Sequence, residues 1–249
     1  MKISKDKKLC EEYIGKHPVI SISLKGINAA SYEAAFELTV KTIKGAVQKA
    51  GFLKMSDKLD EDEKKEYRAI LDENMSEATL FWSLKNLSEL LEKHYETKVI
   101  LLIDEYDVPL AKAFENGYYD KMVFLIRNLL EQTLKTNNSL KFAVMTGCMR
   151  ISKESIFTGL NNLKVLSITD ERFDEYFGFT DEDVKEMLRY YDREDHYEEM
   201  RNWYDGYRFG STDVYCPWDV LNHCDKIKDY VNVFPENYWI NTSSNDAVK

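Results

Sequence analysis

Within KVILLIDEYDVPL (residues 98–110), five consecutive apolar residues run directly into Asp104 and Glu105. A run that short, bounded by polar residues and a proline, reads as a buried strand and not as a helix. The sequence on either side fixes what kind of sheet it joins. Upstream, Phe36, Val40, Ile43 and Val47 recur at helical spacing, as do Leu80, Leu84, Leu87 and Leu91, with Ser76 placed to cap the second set. Downstream, Val123, Ile126, Leu130 and Leu134 mark another amphipathic helix. Three further runs read as strands: PVISISLKGI (residues 18–27), LKFAVMTG (140–147) and the short KVLSIT (164–169). Strands alternating with long amphipathic helices imply βαβ units, and hence an α/β fold with a largely parallel sheet and helices on its faces.

Composition excludes several classes. The chain has 249 residues, 44% of them hydrophobic and 31% charged, which is neither a disordered nor a membrane composition. No apolar run approaches the roughly 18 residues of a membrane span, and MKISKDKKLCEEY lacks a secretory core, so a cytoplasmic location without membrane contact is expected. With 34 basic against 44 acidic residues the net charge is −10, so nucleic-acid binding through this domain alone is not expected. Cys10, Cys148, Cys216 and Cys224 form no C-x-x-C pair; CPWDVLNHC gathers Cys216, His223 and Cys224, but one such group reads as coincidence, not as a metal site. The mixed-charge stretch at residues 54–74 reads as a solvated helix or loop.

The last third changes character. Thr180 with Asp183 has the form of a capping box ahead of Val184, Met187, Leu188 and Tyr191. NWYDGYRFG (residues 202–210) reads as an aromatic hairpin with Asp205 and Gly206 as its turn, and Pro217 opens a further helix. A division follows: residues 1–173 as the α/β core and residues 174–249 as a small helical subdomain with the hairpin.

In an open parallel sheet, function collects at the carboxyl ends of the strands. Asp104 and Glu105 stand at such an end. One carboxylate there can orient a magnesium-bound water while the next polarises an attacking water. Read more plainly, a buried strand must end in something polar, and acids are abundant in this chain. The strand at 140–147 ends in Thr146, Gly147 and, further on, Arg150, where a hydroxyl and a guanidinium could meet a phosphate or Asp104 itself. Arg150 could equally pair with a surface acid. The phosphate-cradling loop G-x-x-x-x-G-K-[ST] is not in the sequence; Gly15-Lys16 is followed by His17 and precedes a strand instead of following one.

Five segments in order, VILLIDEYDVPL, MTGCMRISKESIFTGLNNLKVLSITDERFDEYFGFTDEDV, WYDGYRFG, VYCPWDVLN and YWINTSSND, together resemble the bacterial AAA-ATPase-like family, whose members usually carry a C-terminal PD-(D/E)XK-type nuclease domain. The resemblance covers nearly the whole chain. It implies a P-loop NTPase-like fold of the ASCE/AAA type, with a parallel sheet flanked by helices and a C-terminal helical lid-like subdomain. It further implies Asp104 as the Walker B acid that coordinates magnesium, Glu105 as the catalytic base, Thr146 as a sensor-like position, and Mg-ATP as the family's cofactor. Arg150 falls in the stretch that matches the family's R-I-S-K, without an assigned role. Where the family commonly has Asn, this chain has Cys216, which alters the cap before Pro217.

The family's strand and P-loop with an Arg-Arg-Phe-Gly-Lys-Thr-like core would precede residue 13, and the nuclease part would follow residue 249. The expectation is a core of strands two to five that lacks its first strand, with nucleotide handling incomplete in this chain. The missing strand would lie between those at 140–147 and 164–169, so a homo-oligomer or a protein partner is expected to complete the sheet. The competing expectation is a non-enzymatic interaction or regulatory module that presents Trp203, Tyr204, Tyr207 and Phe209 to a partner.

Overall fold

The computed structural model describes residues 2–148, 157, 160, 163–230 and 233–239. The chain divides into two compact units, Met1–Leu163 and Lys164–Lys249.

The first unit opens with helix α1 (Lys7–Tyr13), capped by Asp6, and then lays down strand β1 (Val19–Ser23). Helices α2 (Tyr32–Gln48), α3 (Glu61–Leu71) and α4 (Glu77–Tyr95) lead to β2 (Val99–Asp104). Then α5 (Val108–Glu115) and α6 (Tyr119–Leu134) lead to β3 (Leu140–Met145). The starts of α2 and α4 follow from their side chains: the hydroxyls of Ser31 and Ser76 accept from the amides of Ala34 and Thr79. Each such cap contributes about 1 kcal/mol. The charged stretch at 54–74 is solvated on one side only. Asp60 and Glu63 close a capping box at the start of α3, while Tyr67 and Ile70 on its inner side are fully buried.

The three strands are parallel in the order β1-β2-β3. Both connections step the same way across the sheet, and right-handed crossovers then place both sets of helices on one face. Burial agrees with this. Ile20, Ile22, Val99, Leu101 and Ile103 point to the helices and are at most 5% exposed, whereas Leu102, Phe142, Val144 and Val19 on the other face are 37–53% exposed. Helix α1 reaches that second face at Phe142, where the Tyr13 ring stands edge-on at 6.2 Å. The helical cover expected on both faces is therefore concentrated on one. A second irregularity lies in β3: Val99 pairs with Leu140 but Ile100 pairs with Phe142, so Lys141 is an extra residue against β2.

The second unit contains α7 (Asp181–Tyr190), α8 (Tyr197–Tyr204), the antiparallel strands β4 (Asp205–Phe209) and β5 (Thr212–Tyr215), and α9 (Pro217–Ile227). Its own core gathers Val184, Leu188, Met200, Tyr204, Tyr215, Val220, Cys224 and Ile227. The Thr180–Asp183 capping box forms, and Pro217 is the first residue of α9. Asp181 accepts hydrogen bonds from the hydroxyls of Tyr197 at 2.6 Å and Tyr215 at 2.9 Å, tying α7 to α8 and β5.

Two expectations are corrected here. Residues 164–169 form no strand: the amide and hydroxyl of Ser167 both bond to the Asp170 carboxylate, a local turn that competes with extended pairing, and Ile168 is 65% exposed. The described sheet accordingly has three strands and not four. The hairpin turns at Gly210 and Ser211, not at Asp205 and Gly206, because Phe209 pairs with Thr212 and Gly210 supplies the positive φ, +51°, that a two-residue loop demands. Gly206 instead sits at the irregularity between Asp205 and Tyr207, where a strand glycine commonly marks a bulge.

No helix among the described residues is long and apolar enough to cross a membrane.

Candidate active site

Parallel strands deliver their carboxyl ends to one edge, and here three ends meet. Asp104 is the last residue of β2; it lies beside Ser23 of β1 and is followed by Glu105. Thr146 comes one residue after β3 and continues its pairing, donating its amide to the Ile103 carbonyl at 2.9 Å. Its hydroxyl donates to the Asp104 carboxylate at 2.5 Å. Because Ile103 pairs with Met145, Asp104 and Thr146 fall side by side on the same face, which is why the hydroxyl finds the carboxylate.

Glu105 leaves the strand in the left-handed region, φ +53°, a conformation that costs a non-glycine residue about 1 kcal/mol. Among the described residues it pairs with Lys25, just past β1, with Nζ 3.8 Å away. Lys25 is largely exposed, so this pair contributes little stability. Asp104 thus faces the β3 side of the edge and Glu105 the β1 side. The Tyr106 amide, donating to the Thr146 carbonyl at 3.1 Å, ties the turn after β2 to the end of β3.

Asp107 is buried one turn later, at the start of α5. The edge is electronegative as a result, and a nearby thiol senses it: Cys148 is pushed above the ordinary thiol range by partial burial first, then by the charges of Asp107, Glu105 and Asp104. Gly147 is held by close approach. A Cβ there would lie 2.6 Å from Asp107 Oδ1 and 2.9 Å from Tyr106 Cε1. Gly147→Ala is therefore expected to lower stability by about 2 kcal/mol, since the buried Asp107 has little room to withdraw. Urea denaturation at neutral pH checks it; an unchanged midpoint would mean that the turn relaxes freely.

Asp104 and Thr146 offer oxygen donors alone, in an exposed position, which suits magnesium better than a softer ion. Arg150, the fourth residue expected at the site from the sequence, lies outside the described residues. Sequence reading named Gly147 at the strand end without giving it a role, and did not single out Lys25. Gly147 had a legible signal, a glycine directly after a strand end, while Lys25 had none because its role depends on which strand neighbours β2.

The comparisons with known proteins bear on this edge. A relative from Azotobacter chroococcum mcd 1, "Uncharacterized protein in vnfD 5'region", is 33% identical over 137 residues, a match covering 50% of this chain and 24% of that protein. The chain thus spans about a quarter of the length of that curated relative. No solved structure matches the chain. The family described as "Predicted AAA-ATPase" matches residues 2–157, which takes in all three parallel strands together with Asp104, Glu105 and Thr146. With well over half of its length matched, the chain belongs to this AAA-ATPase-like family.

Proposed function

We propose that the carboxyl edge of the sheet is the magnesium and water side of an ATP-hydrolysing site of the Walker B kind, and that the 249-residue chain does not grip nucleotide without a phosphate loop. One observation carries the reading: Thr146 holds the Asp104 carboxylate in place while Glu105, turned by its left-handed backbone, faces a different part of the same edge. In this reading Asp104 and the Thr146 hydroxyl would hold magnesium, and the ion when bound would neutralise charge on the phosphate oxygens. Glu105 orients the attacking water and accepts its proton. The weak Lys25–Glu105 pair gives way when a substrate enters. The sequence contains no G-x-x-x-x-G-K-[ST], and magnesium contacts alone are few and well hydrated, so binding energy for the triphosphate has to come from elsewhere. The C-terminal unit takes the lid-like role in this proposal.

Titration calorimetry with Mg-ATP separates the possibilities. The chain alone is expected to give no heat at micromolar concentrations. If a phosphate-loop strand supplied in trans or by fusion restores binding, Asp104→Ala should abolish it. Glu105→Gln should leave it within about threefold but slow hydrolysis by about a hundredfold or more. Micromolar binding by the chain alone, weakened by Asp104→Ala, would show that a complete phosphate site exists and overturn the incompleteness. Restored binding that is indifferent to Asp104→Ala would overturn the Walker B reading.

A second reading, a non-enzymatic interaction module, is favoured by the aromatic exposure of the second unit. Trp203 and Tyr207 are 56% and 55% exposed, more than packing of a small core requires, while Tyr204 between them is buried. Silence of both the free and the complemented chain toward ATP would favour it.

A further inference from the structure

We propose that His196, Glu199 and His223 form a binding site for a divalent transition-metal ion, zinc by donor chemistry, within the C-terminal unit. The chain has four histidines, and two of them meet here around one carboxylate. His196 ends a short 3-10 turn, Glu194–His196, and immediately precedes α8; Glu199 is three residues further on, in the first turn of that helix, so the two share a face. His223 comes from α9, which packs against α8.

His196 and Glu199 are joined by a hydrogen bond, whereas His223 stands close to the same carboxylate without bonding to it. Glu199 Oε2 lies 2.8 Å from His196 Nδ1 and 3.7 Å from His223 Nε2, and one donor atom from each of the three lies within 4.8 Å of the others. A tetrahedral ion with bonds of about 2.0–2.1 Å holds its donors roughly 3.3 Å apart. The two separations to Glu199 straddle that value, so modest side-chain rotation around the carboxylate closes the site. At 3.7 Å, Glu199 is too far from His223 to be its hydrogen-bond partner.

His223 supplies the independent observation. Its side chain is completely buried, and neither Nδ1 nor Nε2 has a hydrogen-bond partner among the described residues. An unmet buried polar group costs on the order of 1–3 kcal/mol, so such a nitrogen aimed at a carboxylate and a second imidazole calls for an occupant. Glu199 is 31% exposed and opens the cluster to solvent, which gives an ion a way in. Two imidazoles and one carboxylate are zinc's donors, and three protein ligands leave a fourth position for water. The grouping of Cys216, His223 and Cys224 suggested by sequence proximity is not this site: Cys224 lies in the apolar core of the unit.

The test uses the untagged full chain, stripped with chelator and then titrated with zinc, and separately with cobalt(II) for its visible absorption. The expected result is one zinc per chain with micromolar or tighter affinity, cobalt bands of a four- or five-coordinate nitrogen and oxygen site, and a zinc-dependent rise in unfolding temperature. Glu199→Gln, which keeps the size of the side chain, and His196→Ala, at the more open side, should each weaken zinc by more than about tenfold. In each case circular dichroism of the metal-free protein should match wild type. No stoichiometric zinc, six-coordinate cobalt spectra, or affinity unchanged in both variants would overturn the site. The cobalt spectrum of the wild-type chain decides the matter even if a variant fails to fold.

Discussion

Leu101→Ala is expected to destabilise the first unit by about 3 kcal/mol, while Leu102→Ala, its immediate neighbour, costs less than about 1 kcal/mol. Leu101 is fully buried in the middle strand, paired with Ile20 on one side and with Ala143 on the other. Ala143 is too small to flow into the gap, so truncation leaves a cavity in addition to losing the transfer free energy. Leu102 points to the opposite face, where it is already 37% exposed, and truncation there removes little that was hidden from water. Urea denaturation of both variants, with amide exchange across β1 to β3, measures the difference. Equal costs would mean that the second face is covered in solution, by a second copy or another partner, and the prediction of a one-sided sheet would be wrong.

Gly210→Ala is expected to be comparably damaging, again about 3 kcal/mol, but in the second unit. Two penalties add. The residue has φ +51°, which an alanine adopts at a cost of roughly 1–2 kcal/mol. A Cβ would also lie 2.7 Å from the carbonyl oxygen of Asp170 and 2.7 Å from the Cα of Glu171, and backbone atoms cannot rotate aside as a side chain can. The hairpin is anchored at this point, because the Gly210 amide donates to the Ile168 carbonyl at 2.8 Å and the Ser211 amide and hydroxyl donate to the Asp174 carboxylate. Hydrogen bonding to Ser211 is the main reason that Asp174 is held below the usual carboxylate range. A thermal melt of the variant should show the loss, and the Asp174 titration followed by NMR should move back toward the ordinary value. A normal melt with an unmoved titration would show that the turn is not clamped as described.

Much of the first unit was legible because its signals are local. The apolar run of β2, the serine that caps α4 and the helical stripes on α4 and α6 each depend on residues a few positions apart. That Asp104 and Thr146 share an edge followed from two parallel strands, since such strands end on the same side. The more exposed second face was not legible. Leu102, Phe142 and Val144 are as apolar as their buried neighbours, and only the strand order shows that both crossovers fall on the other side. The false strand at 164–169 has the right composition, and it fails because Ser167 and Asp170 satisfy the backbone locally. The turn was misplaced for a related reason: Asp-Gly is the stronger dipeptide signal, yet the left-handed position belongs to Gly210 and Gly206 is absorbed in the strand. His196, Glu199 and His223 come from two helices and meet only in three dimensions, although His196 and Glu199 have the spacing of one helix face.

Lys141 gives the carboxyl edge its chemistry without being part of it. Strand side chains alternate, so the extra residue near the start of β3 inverts the parity of everything downstream relative to β2. With it, the hydroxyl of Thr146 comes level with Asp104. Were Lys141 paired with Ile100 instead of bulged, every later residue would fall one step behind and Met145, a thioether with nothing to donate, would come to that place, while Phe142 and Val144 turned into the helix-covered core. A single added residue at one end of a strand, some five positions from the carboxylates, thus acts as a reading frame in space: it decides which letter of the sequence Asp104 meets.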